Sequence, residues 1–449
     1  MSAETFLARL DNAPLNRFHW RLLAVSGVGW MFDAMDVLLI GFLLGPIRGE
    51  FGLDPLRTGL VASAGFAGMF LGAAVSGRLA DRYGRRGVIQ ATLVLFGVGS
   101  LLSAAAPSFE LLLAARVVAG IGLGGELPVI ATLVSEFAPR ASRGRFIVLL
   151  ESFWAYGTIA AGLIAVFALP VIGWRGAFAL GALPALYVAY LRRALPESPR
   201  YLAEHGRAAE ADAIVRRVER EGGGALITVA RPVAPPRSTA TGVGELFSRR
   251  YVRRTVMLWI LWLGVVFTYY GMFVFVPTLL VERGLSVVRS NEFFFLSTLA
   301  QVPGYFTAAW LVEKIGRKAT LVAFLLGTAV AAFGFGNTGL GAGANALAPA
   351  FIWAALLSFF DLGVWGVVYT YGPELYPTAL RATGTGAAAA VGRIGGIAGP
   401  FLTPVLVVTA GQSAVFALFT GILLLTAGAV FLLAEETRGR SLEEIAPAV

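Results

Sequence analysis

The chain contains no cysteine and only two histidines, His19 and His205. Without thiols there is no disulfide framework and no thiolate metal site, so neither a metal nor a cofactor is expected. Charge is scarce as well. Asp, Glu, Lys and Arg supply 14% of the residues against 57% hydrophobic ones, where a soluble domain carries roughly a quarter charged. No nucleophile–base arrangement and no phosphate-cradling loop is visible, because the glycine-rich runs lie inside apolar segments and not after a strand. An enzyme is therefore not expected. Nor does the polar start of the chain show a short apolar region followed by a small-residue cleavage site, so the first apolar segment is expected to stay in the mature protein.

Long apolar segments are what the chain has instead. They fall at about 22–46, 58–79, 87–106, 109–137, 146–169 and 176–191, and again at about 255–280, 292–312, 319–337, 346–371, 383–409 and 412–434. Each is long enough to cross a bilayer, which takes about 20 residues as helix. The predicted fold is an all-α membrane protein of twelve transmembrane helices in two pseudo-symmetric six-helix bundles, residues 1–191 and 255–434. Residues 192–254 between them read as a linker with a short amphipathic helix at Ala208–Val218 and a Gly/Pro/Ala run at Gly222–Pro236. Residues 435–449 form a polar tail.

The formal charge of +9 invites a nucleic-acid reading, which requires the basic residues to gather on one folded face. They do not. Arg9, Arg17, Arg21, Arg143, Arg145 and a dense run from Arg192 to Arg254 fall in connections of one predicted side, while the other side holds few. That asymmetry is the positive-inside pattern and places both termini in the cytoplasm. The expected partners are the lipid bilayer and a small molecule, with no nucleic acid, and the chain is read as a monomer.

Gly77-Arg78-Leu79-Ala80-Asp81-Arg82-Tyr83-Gly84-Arg85-Arg86 is a basic turn between the second and third apolar segments. It recurs in weaker form as Glu313-Lys314-Ile315-Gly316-Arg317-Lys318. A second repeat follows the fourth and tenth segments, where Glu136 and Arg143 match Glu374 and Arg381. The G-x-x-x-D-R-x-G-R-R pattern resembles the signature of the major facilitator superfamily. That resemblance implies a gating role for Gly77, Asp81, Arg82, Gly84, Arg85, Arg86, Glu136 and Arg143, and for Glu313, Arg317, Glu374 and Arg381 in the second half. Stabilising the turn is the simpler alternative.

Charges inside a span cost roughly 2.5–3.5 kcal/mol at the helix centre and need a reason to persist. Asp33, Asp36, Arg116, Glu126 and Arg393 stand out, with Glu151 and Asp361 beside them. At ~1.5 Å per residue, Asp33 and Glu126 both lie about 16 Å from the cytoplasmic ends of their helices. Asp36 and Arg116 match one level further. The expected arrangement is an Asp36–Arg116 pair above an Asp33–Glu126 pair. Two like carboxyls at one level can take and release a proton, and a buried cluster that merely joins the helices is the alternative.

Trp30, Trp154, Tyr156, Tyr269, Tyr270, Tyr305, Trp365 and Tyr369 recur near helix centres, in company with Thr158, Gln301 and Arg393. Apolar walls with a few polar groups suit a small aromatic ligand, and packing is the plainer reading of any one ring. Arg393, roughly 15 Å into its helix, is placed to hold a substrate carboxylate, and a permanent pair with a protein carboxylate such as Glu126 or Asp361 is the alternative.

Gly29-Trp30-Met31-Phe32-Asp33-Ala34-Met35-Asp36, Gly122–Val129, Leu149–Trp154 and Gly392-Arg393-Ile394-Gly395-Gly396 together resemble the niacin-transporter branch of that superfamily. The branch is related to sugar porters, organic-ion transporters and synaptic-vesicle proteins, with which Pro196–Leu202 and Glu435–Leu442 are shared. The resemblance implies proton-coupled uptake of nicotinate, or a similar small aromatic carboxylate, across a bacterial cytoplasmic (inner) membrane by alternating access. Transport of another aromatic acid or an organic ion, and a receptor or scaffold that keeps the fold without transport, are the competing readings.

Overall fold

The computed structural model describes residues 3–139, 142–223, 243–338 and 344–438, and these are helical or connecting turns throughout. Residues 224–236 of the predicted Gly222–Pro236 run and the end of the tail, from Gly439 through Leu442 and beyond, lie outside the described residues.

The helices are α1 (Ala3–Asp11), α2 (Arg17–Phe51), α3 (Pro55–Tyr83), α4 (Arg85–Ala105), α5 (Phe109–Phe137), α6 (Arg143–Leu163), α7 (Leu169–Gly181), α8 (Pro184–Ala194), α9 (Pro199–Glu204) and α10 (Ala208–Glu221). They continue as α11 (Val252–Phe273), α12 (Val276–Glu282), α13 (Val287–Thr298), α14 (Gln301–Ile315), α15 (Arg317–Asn337), α16 (Ala344–Glu374), α17 (Thr378–Ala410) and α18 (Gln412–Leu433).

Among the described residues ten helical runs are long and apolar enough to cross a membrane. One of them, Arg143–Leu191, has 49 residues, about 74 Å at the α-helical rise and more than twice a ~30 Å hydrocarbon core. It turns at Gly173, whose φ of 67° is open to glycine, so it holds the fifth and sixth segments. The eighth segment, expected unbroken at 292–312, is instead interrupted between α13 and α14, each too short to qualify alone. With these two adjustments the segments number twelve. Large apolar side chains such as Phe167, Val171 and Val408 point outward, 68%, 81% and 64% exposed, as lipid-facing residues do.

Two compact units are present. The first comprises residues 1–35, 65–157 and 178–237. Its core packs α3, α4 and α5 backbone to backbone: a Cβ on Gly124 would lie 2.0 Å from the Met69 carbonyl oxygen, and one on Gly122 would lie 2.5 Å from the Phe96 amide. Such contact supplies the dispersion that joins helices in lipid.

Helix α1, unforeseen in the sequence, is tied to α10 by Arg9. Its guanidinium donates from Nε and Nη2 to Glu219 at 2.9 and 2.7 Å, and from Nη1 to Asp212 at 2.6 Å. These bonds hold Arg9 more firmly charged than an ordinary arginine, and they pull Asp212 below its usual carboxylate value, with Arg216 adding to the effect. The Ala208–Val218 amphipathic helix is present as α10 and runs to Glu221, burying Ala211, Val215 and Val218.

The second unit comprises residues 36–64, 158–177 and 238–449. In its interior α17 lies against α11, where a Cβ on Gly399 would meet the Phe267 carbonyl oxygen at 2.4 Å, and α14 lies against α16, where one on Gly304 would meet that of Phe359 at 2.0 Å. The later parts of α2 and α6 and the first part of α3 belong to this unit too. Gly41 abuts the Val274 backbone and Gly59 abuts Phe401, while Arg48 pairs with Glu282 at 2.5 Å.

Candidate functional site

The first unit encloses a pair of acids and a pair of indoles. Glu126 and Asp33 are fully buried. Glu126 presses on α2 where the chain has no side chain, since a Cβ on Gly29 would lie 2.5 Å from its Oε1. Asp33 follows Gly29 by one helical turn on the same face, and its carboxyl is within hydrogen-bonding reach of Glu126. Neither oxygen of Glu126 meets a protein donor among the described residues. Two carboxyls in that position bond only through a proton carried by one of them. Trp30 and Trp154, 5.2 Å between ring centroids, pack beside this turn. Arg116 is also buried, its guanidinium 5.1 Å from the Phe178 ring.

The second unit gathers most of the predicted aromatic residues. Trp365 and Tyr369, one turn apart on α16, stack with centroids 5.8 Å apart. Trp365 meets Tyr269 edge-on at 5.8 Å, and Tyr269 meets Tyr270 at 5.0 Å. A residue overlooked in the sequence, Trp262, completes the wall at 5.8 Å from Trp365 and 5.4 Å from Tyr369. Its spacing of seven from Tyr269, which puts both on one face of α11, was the available signal. Helix α17 reaches this wall through Gly392, the residue before Arg393: a Cβ on Gly392 would lie 3.1 Å from the Trp262 ring. Tyr305 flanks the wall from α14, against Gly366. Gln301, Thr158, Asp36 and Asp361 are buried in the same unit.

The two basic turns are built alike. Arg85 pairs with Asp81 at 3.1 Å and with Glu136 at 3.6 Å, and Arg317 pairs with Glu313 at 3.7 Å and with Glu374 at 3.1 Å. Arg143 donates from Nε to the Ser135 carbonyl at 2.8 Å and pairs with Asp11, while Arg381 donates to the Pro373 carbonyl at 3.0 Å. Sequence reasoning missed the cap on each. Glu197 accepts from the amides of Arg85 and Arg86 at 2.9 and 3.3 Å, and Glu436 accepts from those of Arg317 and Lys318 at 2.9 and 3.1 Å. A carboxylate there meets the positive end of the helix dipole. Gly77 faces open space, Arg82 is exposed, and Arg86 is half-buried.

Comparison with known proteins follows the same lines. The family model "Sugar (and other) transporter" matches residues 39–448. "Niacin transporter NiaP" of Acinetobacter baylyi is 47% identical over 442 residues, covering 98% of this chain and 99% of that protein. "Synaptic vesicle 2-related protein" of Xenopus laevis is 32% identical, covering 98% and 83%. Among solved structures, the partially occluded inward-open xylose transporter XylE from E. coli superposes with a TM-score of 0.78 at 19% identity, covering 94% of this chain and 99% of that one. The matching family model and the niacin transporter are of transporters and not enzymes, and the chain is a multi-pass membrane protein with a small-molecule substrate. This chain belongs to the sugar (and other) transporter family of the major facilitator superfamily, whose fold is twelve helices in two bundles.

Proposed function

We propose that this transporter carries nicotinate together with a proton, by alternating access, across a bacterial cytoplasmic membrane with both termini inside, working as a monomer. The observation that supports the substrate is that α17 packs on the Trp262–Trp365–Tyr369 wall through Gly392, next in sequence to Arg393. A guanidinium beside flat apolar faces suits a small aromatic carboxylate, binding its anion through charge-assisted bonds and its ring by stacking. The niacin transporter similar over nearly the whole chain supports the same substrate.

Coupling is assigned to Asp33 and Glu126. One proton shared by two enclosed carboxyls is a unit that can be loaded and released as access changes. The twin basic turns are assigned to gating, since Arg85 and Arg317 join the end of one helix to the start of the next. Reconstituted protein should accumulate labelled nicotinate in liposomes under an inward proton gradient, and collapsing the gradient with an uncoupler should reduce uptake to equilibration. Equal accumulation with and without the gradient would rule out proton coupling.

A further inference from the structure

We infer that Asp361 reads the ring nitrogen of the substrate, through one proton shared between its carboxyl oxygen and that nitrogen; this deepens the nicotinate reading and rests on it. Asp361 lies on α16, 1% exposed, and neither of its oxygens meets a hydrogen-bond partner among the described residues. An acid enclosed without a partner is costly to keep. A partner that arrives with the cargo gives it a purpose.

Its surroundings say what that partner is. Trp365 follows Asp361 by one turn on the same face of α16, and the Trp365 ring meets Trp262 and Tyr269. Asp361 therefore shares a face of α16 with a ring of the wall on which α17 packs through Gly392, the residue before Arg393. A second unmet group lies close by: both amide atoms of Gln301 lack partners among the described residues. Gln301 precedes by one turn Gly304, which packs on the carbonyl of Phe359, two residues before Asp361.

A guanidinium and a carboxyl are thus carried by α17 and α16, two helices that meet at one aromatic surface. The complementary molecule carries an anion at one edge of a flat ring and an in-plane lone pair at another. A pyridine carboxylate has both. Benzoate offers a C–H where the nitrogen would be, so it leaves Asp361 unmet, and sites built to bond one ligand atom discriminate against the analogue lacking it.

The test is calorimetric binding of nicotinate, benzoate and N-methylnicotinate to the purified full-length protein. Nicotinate is expected to bind at least about tenfold more tightly than benzoate, the cost of one unmet buried polar group. N-methylnicotinate, whose nitrogen has no lone pair, should bind no better than benzoate. Asp361→Leu should lower nicotinate affinity to that of benzoate and leave benzoate within about twofold, and Asp361→Asn, whose amide donates to the nitrogen, should restore the preference. Equal affinity for the two acids in the unmodified protein, or an undiminished preference in Asp361→Leu, overturns the inference and leaves nicotinate transport standing. Tightest binding of N-methylnicotinate overturns it too, making Asp361 the counter-ion of a cation. If Asp361→Leu does not fold, the ligand series on the unmodified protein and Asp361→Asn decides. Absence of nicotinate binding by the unmodified protein overturns the substrate reading itself.

Discussion

The carboxylate of Glu197 stands where a side chain on Gly84 would have to go: a Cβ there would lie 2.3 Å from Oε2. Glu436 and Gly316 repeat the relationship at 2.4 Å. Both glycines have positive φ, 92° and 96°, so the turn needs glycine for its backbone as well as for the space. Gly84→Ala should destabilise the protein by about 2 kcal/mol, from left-handed strain and a displaced cap. Tryptophan-monitored unfolding in detergent checks this, and an unchanged midpoint would mean that the carboxylate moves aside freely.

Substituting Asp33 by Asn or Glu126 by Gln should abolish proton-driven accumulation of nicotinate while leaving counterflow exchange at least partly intact. Gly29→Ala is a third probe, because its methyl would displace the Glu126 carboxyl without removing either acid. It should slow accumulation without changing the charge of the pair. Full proton-driven uptake in both acid variants would assign coupling elsewhere.

The Asp81 side chain is 74% exposed yet pairs with a buried Arg85. Exposed pairs contribute about 0–1 kcal/mol, so Asp81→Asn should leave stability nearly unchanged. A gating role predicts a slower transport rate with nicotinate affinity unaltered. Transport and equilibrium binding measured on one preparation separate the two, and lost affinity at full turnover would argue against gating.

Arg393→Ala should weaken nicotinate at least about tenfold while changing nicotinamide binding much less, since a charge-assisted bond is stronger than a neutral one. If nicotinate binding stays within about twofold, its carboxylate is held by another group.

Docking of α1 should depend on pH through Asp212. Its carboxyl lies below the ordinary value chiefly because it accepts from Arg9. Its contribution is therefore complete above the unfolded-state value of about 3.9 and is lost as pH falls through the lower folded-state value. Hydrogen exchange of residues 3–11 should rise below about pH 4, and Asp212→Asn should raise it already at neutral pH. Exchange that is flat with pH and unchanged in the variant would mean that Asp212 does not hold the helix.

How far the sequence reaches is clearest residue by residue. The twelve apolar segments, the twin turns and the shared level of Asp33 and Glu126 follow from composition, repeat spacing and helical rise, which are local properties of the chain. Bilayer thickness and the cost of charge in lipid make those properties decisive. What lay beyond reach involved partners far apart in sequence. Arg9 finds Glu219, Glu197 finds the start of α4, and Glu436 finds the start of α15. Nothing in either segment announces the other. The wall that joins Trp262 of α11 to Trp365 and Tyr369 of α16 brings together rings about a hundred residues apart. Position along one helix fixes how deep a side chain lies and which way it points. Only packing, which depends on the shape of every neighbour, decides what it touches.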